Sequence, residues 1–411
     1  MKIFNRKLKI TSSALLILCM VFVMTACAEN SSQSEKSQPA KQTTVQPTTM
    51  SAEEINDRKL DKFISDMTLE EKVGQMFFVR CPDEDAVKQV SEYNIGGYIL
   101  FGRDFDGKTK DEVVDDIHSY QNEADIPLLI GVDEEGGTVV RVSSNPNLRE
   151  TPFLSPKDTY ADGGWDAVKQ DAEEKADLLL SLGINVNLAP VCDMTSDEYG
   201  FMYDRSFSSD VDMENRYVRT VVETSKSKKL GTVLKHFPGY GNNSDTHTGI
   251  AHDDRYYSEF ENTDFKPFYQ GIESGADCIL VSHNIVNCMD SEYPASLSQK
   301  VHDILRNEFK FDGVIMTDDL IMDAITDFTG DEAAAVTAAK CGNDLLCCSS
   351  VDTQYPAVLE AVQNGEISET QVDASVKRIL KWKQNLGIFN IDTYQKKVKS
   401  TEPTDTVGSE E

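Results

Sequence analysis

From about residue 56 to 390 the chain alternates two kinds of segment. Short, uninterrupted apolar runs rich in Val, Ile, Leu and Phe are followed by longer stretches in which apolar residues return at helical spacing. The runs are "QMFFVR" (75–80), "YILFG" (98–102), "PLLIGVD" (127–133), "INVNLAP" (184–190), "TVLKHF" (232–237), "CILVSH" (278–283), "GVIMTD" (313–318) and "DLLCC" (344–348). Consecutive rather than alternating apolar residues mean burial on both faces, the pattern of a parallel sheet. Between the runs, "WDAVKQDAEEKADLLLSLG" (165–183) can gather Ala167, Ala172, Leu178 and Leu179 on one helix face, with Gly183 as C-terminal cap. A second helix, 296–313, is opened by Ser296 or Ser298. Eight strand–helix units predict an α/β fold with a single, possibly irregular TIM-type (β/α)8 barrel. The alternative is a doubly wound open sheet, but no G-x-G-x-x-G follows any of these strands.

A barrel turns the ends of its strands into one mouth, and most of the unusual polar residues stand at those ends. Asp133 follows the third run, Lys235 and His236 end the fifth, His283 ends the sixth and Asp318 follows the seventh. A carboxylate there is costly unless paired or used, which marks Asp318; its neighbour Asp319 reads as a helix N-cap.

The stretch "KHFPGYGNNSDTHTG" (235–249) holds two of the chain's six histidines. Its Pro, Gly and Asn content makes it a loop. Asp245 stands two residues before His247, where a carboxylate can fix the tautomer of an imidazole. His236, Asp245 and His247 could instead ligate a metal, although the Lys235 ammonium beside them repels a cation. "GVDEEGGTVVRV" (131–142) offers Asp133 for hydroxyl recognition and Arg141 to orient it or bind an anion, and "DRSFSSD" adds Arg205.

The N-terminus, "MKIFNRKLKITSSALLILCMVFVMTAC", reads as an export signal: four basic residues, a short apolar core and small residues before Cys27. Residues 1–26 resemble a bacterial lipoprotein signal, cleaved so that the Cys27 thiol is acylated and holds the protein to the lipid bilayer; an ordinary cleavage at "ACA" is the alternative. Residues 27–55, rich in Ser, Thr, Gln and Pro, read as a flexible tether, and 391–411 as an acidic disordered tail. Removing the signal leaves 36 basic against 70 acidic residues, a net charge near −34. That argues against nucleic acid or anionic lipid headgroups as partners. Cys192, Cys278, Cys347 and Cys348 lie in apolar runs, as small buried thiols do, and no metal spacing of Cys and His occurs in the sequence. A monomer is expected.

Taken together, "KHFPGYGNNSDTH", "IPLLIGVDEEGG…VVR", "INVNLAPVCDM", "DRSFS", "ILVSHNIVNCMDSEYPASLS" and "GVIMTDDLIMDAI" resemble, in order, blocks of the bacterial family 3 glycoside hydrolases of the β-N-acetylglucosaminidase branch. "MTLEEKVGQMF" and "SVKRILKWKQNLGIF" extend the similarity over residues 56–390. The resemblance implies a TIM-like barrel, Asp318 as nucleophile, and His247 as general acid/base oriented by Asp245. It also implies that Asp133, Arg141, Arg205, Lys235 and His236 bind the N-acetylglucosamine unit. Tyr240, Glu134 and Ser208 depart from the residues common in the family.

The activity implied is retaining removal of terminal β-linked N-acetylglucosamine from peptidoglycan fragments or chitin-type oligosaccharides at the cell envelope, with no metal or organic cofactor. A neutral imidazole base repels an incoming anion less than a carboxylate would, so phosphate could replace water. A β-glucosidase or β-xylosidase of the same fold is the second reading, weakened by the D-[ST]-H loop. A glycan-binding lipoprotein without catalysis is the third.

Overall fold

The computed structural model describes residues 50–243, 249–329 and 331–396. Segments 1–26 and 397–411, the tether up to residue 49, Cys27, Asp245 and His247 lie outside the described residues.

Eight parallel strands carry the fold: β1 (Phe77–Arg80), β2 (Gly97–Leu100), β3 (Leu129–Val132), β4 (Val186–Asn187), β5 (Gly231–Phe237), β6 (Cys278–Val281), β7 (Val314–Thr317) and β8 (Leu346–Cys348). They pair in the order β8-β1-β2-β3-β4-β5-β6-β7. A parallel bridge between Met316 and Leu345 joins the two ends, so the sheet closes on itself. Each of the eight apolar runs holds one strand.

Closure sorts the side chains by alternation. Phe78, Ile99, Leu129, Val186, Val233, Leu280 and Met316 fill the barrel interior, while Phe77, Val79, Tyr98 and Leu100 on one side and Leu234, Phe237 and Ile279 on another meet the surrounding helices. The interior is tight. A Cβ at Gly131 of β3 would lie 2.5 Å from Phe78 Cζ and 3.0 Å from Leu188 Cδ1, so a larger residue there would displace the barrel core.

Local chemistry explains where the helices depart from their expected bounds. The helix expected at 165–183 is the second half of a longer one, Pro156–Ser181, broken at Gly163 and Gly164, whose backbone angles are not helical. Ser155 caps its start by accepting from Asp158 N, with Pro156 at the first position. Gly183 follows its end with φ of +89°. Ser298, not Ser296, caps Gln299–Asp303, and the chain widens to a π-turn over Ile304–Glu308.

The C-terminal helix Glu369–Asn385 places Trp382 against the barrel interior and buries Lys383 completely. The Lys383 ammonium donates to Gln75 Oε1 at 2.7 Å, a neutral partner. Burial pushes its pKa down from 10.5 to about 7. The folded lysine thus sheds its proton near 7 and the unfolded one near 10.5, so folding gains stability as pH rises between those values. Burying the charged form costs about 5 kcal/mol below that window. Lys383→Met should therefore raise Tm more at pH 6 than at pH 9; an equal rise at both would show that the buried amine keeps its charge.

Candidate active site

A cavity of about 350 Å³ opens at the C-terminal ends of the strands. Leu188, Leu280 and Cys347 line its apolar part, and Asp133, Glu135, Arg141, Arg205, Lys235, His236 and Asp318 all face it. Apart from the strand-end His283, every sequence-derived candidate inside the described residues is therefore in one hollow. A smaller, more apolar cavity of about 230 Å³ lies at the opposite end, lined by Phe63, Met67, Ile95, Ile126 and Tyr394. None of the candidates faces it.

Four of the residues form a fixed ionic cluster. Lys235 Nζ lies 2.5 Å from Asp133 Oδ1 and 2.6 Å from Glu135 Oε1. Arg205 grips Glu135 with two parallel bonds, Nε to Oε2 at 2.9 Å and Nη2 to Oε1 at 2.8 Å. Lys235 and Glu135 are buried. Burial alone would raise the Glu135 carboxyl, but Lys235 and Arg205 outweigh it and hold it well below the usual carboxylate range. Burial likewise opposes charge on Lys235, and Asp133 and Glu135 hold its pKa above the ordinary lysine value. Both stay charged through the neutral range. The cluster therefore presents a carboxylate acceptor and an ammonium donor on neighbouring positions, the pairing that adjacent sugar hydroxyls require.

His236 has its tautomer dictated. Arg205 Nη2 can only donate and lies 3.2 Å from His236 Nε2, so that nitrogen is the acceptor. The proton sits on Nδ1, which donates to Asp193 Oδ2 at 2.7 Å. Both ring nitrogens are thereby engaged within the protein. Asp193 also accepts from the backbone N–H of His236 at 2.9 Å and of Tyr240 at 2.7 Å. One buried carboxylate thus orients the imidazole and the turn after β5. Lys235 and His236 are consecutive yet both face the cavity; their peptide bond is cis, and the register of β5 against β6 shifts between Leu234 and Phe237.

Asp318 stands on the turn that leaves β7. Its backbone N–H donates to Val281 O at 3.2 Å, and its Oδ1 accepts from Asp319 N at 2.9 Å. Asp319 accepts from Ser349 Oγ at 2.8 Å and from Ile321 N at 3.2 Å, and burial raises its carboxyl pKa. His283 is buried rather than exposed to the mouth. Its Nε2 donates to Asp319 O at 3.0 Å and its Nδ1 lies 2.7 Å from Ser296 Oγ, so it braces the turn that carries Asp318.

Arg141 reaches the cavity beside Arg80, with both guanidinium groups over the Phe101 ring, at 5.9 and 4.3 Å. Glu134 is buried and serves the backbone: its Oε2 accepts from Arg141 N at 2.9 Å and Val142 N at 2.7 Å. That use explains an acid at a position outside the cavity. Glu135, Asp193 and Arg80 were absent from the sequence-derived set. Charge balance could have found Glu135, since Lys235, Arg141 and Arg205 in one mouth need more than Asp133. Asp193 lies beyond the end of β4 and past the Val191–Lys235 bridge, so strand-end position does not mark it as it marks Asp133 and Asp318.

The Glycosyl hydrolase family 3 N terminal domain model matches residues 68–382. A beta-hexosaminidase of Nitrosomonas eutropha is 32% identical over 273 residues, covering 64% of this chain and 77% of that protein. A beta-hexosaminidase of Hydrogenovibrio crunogenus is 31% identical over 286 residues, covering 68% and 79%. Among solved structures, a family 3 beta-N-acetylglucosaminidase from Paenibacillus sp. superposes with a TM-score of 0.74 at 30% identity, over 84% of this chain and 66% of that one. A family 3 glycosyl hydrolase from Mycobacterium smegmatis gives 0.71 at 26% identity, over 78% and 98%.

Proposed function

The chain belongs to glycosyl hydrolase family 3, and from that membership and the cavity we propose that it is a retaining exo-β-N-acetylglucosaminidase. The observation that carries the reading is the meeting of Asp318 with the Asp133–Lys235–Glu135–Arg205 cluster in one cavity. The cluster and His236 bind the terminal N-acetylglucosamine, with Arg141 as a further ligand. Asp318 attacks the anomeric carbon, so that its C–O bond forms as the glycosidic bond breaks. His247, oriented by Asp245, protonates the departing oxygen and then takes a proton from the incoming water, which releases the sugar with its configuration retained. Phosphate in place of water would give the sugar 1-phosphate.

The substrates are peptidoglycan fragments or chitin-type oligosaccharides, and acylated Cys27 keeps the enzyme at the outer surface of the membrane. The test is a nitrophenyl glycoside panel, with and without phosphate, on membrane and soluble fractions of cells making the full chain. The reading expects the N-acetyl-β-glucosaminide to be cleaved by the membrane fraction. Cleavage of the β-glucoside alone would support the second reading and sink this one, and activity confined to the soluble fraction would sink the anchor.

A further inference from the structure

The stretch that carries Asp245 and His247 is entered through Gly239–Asn243 and left through Gly249–Asp253, and one guanidinium ties these two described flanks together. Arg255 Nη2 donates to Gly239 O at 3.1 Å on the entering side. On the leaving side it holds Asp253, with Nη2 to Oδ2 at 2.8 Å and Nε to Oδ1 and Oδ2 at 3.1 and 3.0 Å. Its Nη1 spans both oxygens of Asp264 at 2.9 and 3.0 Å, at the start of the helix Phe265–Ser274. Asp253 and Asp264 are both buried, and the Phe260 ring lies 4.2 Å beneath the guanidinium.

The entering backbone is shaped to admit this group. Gly241 has φ of +55°, and a Cβ on it would lie 2.8 Å from Arg255 Cζ. Gly239 has φ of +119°, and its Cβ would lie 2.4 Å from Asp264 Oδ1. The leaving side is anchored a second time, because His252–Asp253 pairs with Ile285–Val286 just beyond β6. The clamp therefore joins the turn after β5 to the segment after β6, and none of its bonds goes to Asp133, Glu135, Lys235, Arg205, His236 or Asp318.

We infer that Arg255 is a positioning residue for leaving-group protonation: it fixes the span between the two ends of the segment that bears His247. This rests on the reading of His247 as the acid/base. A planar fork with three acceptors on three chain segments cannot be replaced by a single ammonium, so Arg255→Lys keeps the charge and loses the clamp. Misplacement of an acid by about 1 Å costs up to about 10²-fold in rate. The loss falls on substrates whose leaving group needs the proton and spares those whose leaving group departs unaided.

The experiment compares kcat for an alkyl and a dinitrophenyl N-acetyl-β-glucosaminide in wild type, Arg255→Lys, Gly241→Ala and His247→Ala, with Tm measured for each. Gly241→Ala retains every charge and displaces the guanidinium, so it decides the matter if Arg255→Lys does not fold. In at least one of these two variants, kcat on the alkyl substrate should fall about tenfold more than on the dinitrophenyl one, which is the direction set by His247→Ala. Equal losses on both substrates, or none, alongside a leaving-group effect in His247→Ala would overturn the clamp as a positioning device. A His247→Ala variant with no leaving-group effect would remove the acid/base assignment itself, and this inference with it.

Discussion

Asp318→Ala is expected to lower kcat by about 10⁴- to 10⁶-fold, on sugar and aryl aglycones alike, the scale on which loss of a covalent nucleophile is felt. An activated leaving group offers no escape, because the missing step is attack on the anomeric carbon. The backbone reasons for using this residue are local. Asp318 leaves β7 with its N–H tied to Val281 O and its Oδ1 to Asp319 N, while His283 and Ser349 hold Asp319. The carboxylate is thus presented by a braced turn, as a near-attack geometry requires. Because Asp133, Lys235, Glu135 and Arg205 are held by bonds to one another, the variant should still bind N-acetylglucosamine, with Kd within a few-fold of wild type by calorimetry. Loss of binding together with turnover would mean that the substitution had collapsed the cavity, and retained turnover would remove Asp318 from the mechanism.

His247→Ala should behave differently. General acid/base assistance contributes about 10²–10⁴-fold, so turnover of an oligosaccharide should fall by that factor while release of a dinitrophenyl aglycone falls far less. An imidazole with an ordinary pKa of about 6.5 donates only while protonated. The wild-type rate on poor leaving groups should therefore fall as pH rises through the value of this group, and that limb should vanish in the variant. A uniform loss on every aglycone, with the alkaline limb unchanged, would rule out the role.

The barrel was legible because parallel strands are covered on both faces, which leaves continuous apolar runs that turns and helices interrupt. The least regular strand shows the limit of that signal. The run 184–190 yields only Val186–Asn187 as a paired strand, since Pro190 has no N–H to give the ladder; pairing to β5 resumes as a bridge between Val191 and Lys235. The break at Gly163–Gly164 is set by the two glycines rather than by apolar spacing, and the π-turn at Ile304–Glu308 has no mark in that spacing either, so the run lengths could not carry them. In the site, strand-end position alone located Asp133, Lys235, His236 and Asp318, because the fold converts that position into proximity. Glu135 and Asp193 were hidden by their duty. They face other protein groups across 70 and 43 residues of sequence, to Arg205 and His236; charge balance asks for one more acid in the mouth, but only the closed ring of strands shows which partner each acid serves.

The most direct measurement is covalent trapping. A fluorinated N-acetylglucosaminyl donor that glycosylates quickly and hydrolyses slowly would be incubated with the protein, and the digest read by mass spectrometry. The account predicts one sugar adduct per chain, on the Asp318 carboxylate. An adduct on Asp319, Asp133 or Glu135, or rapid turnover of a natural β-glycoside with inversion at the anomeric carbon, would contradict it.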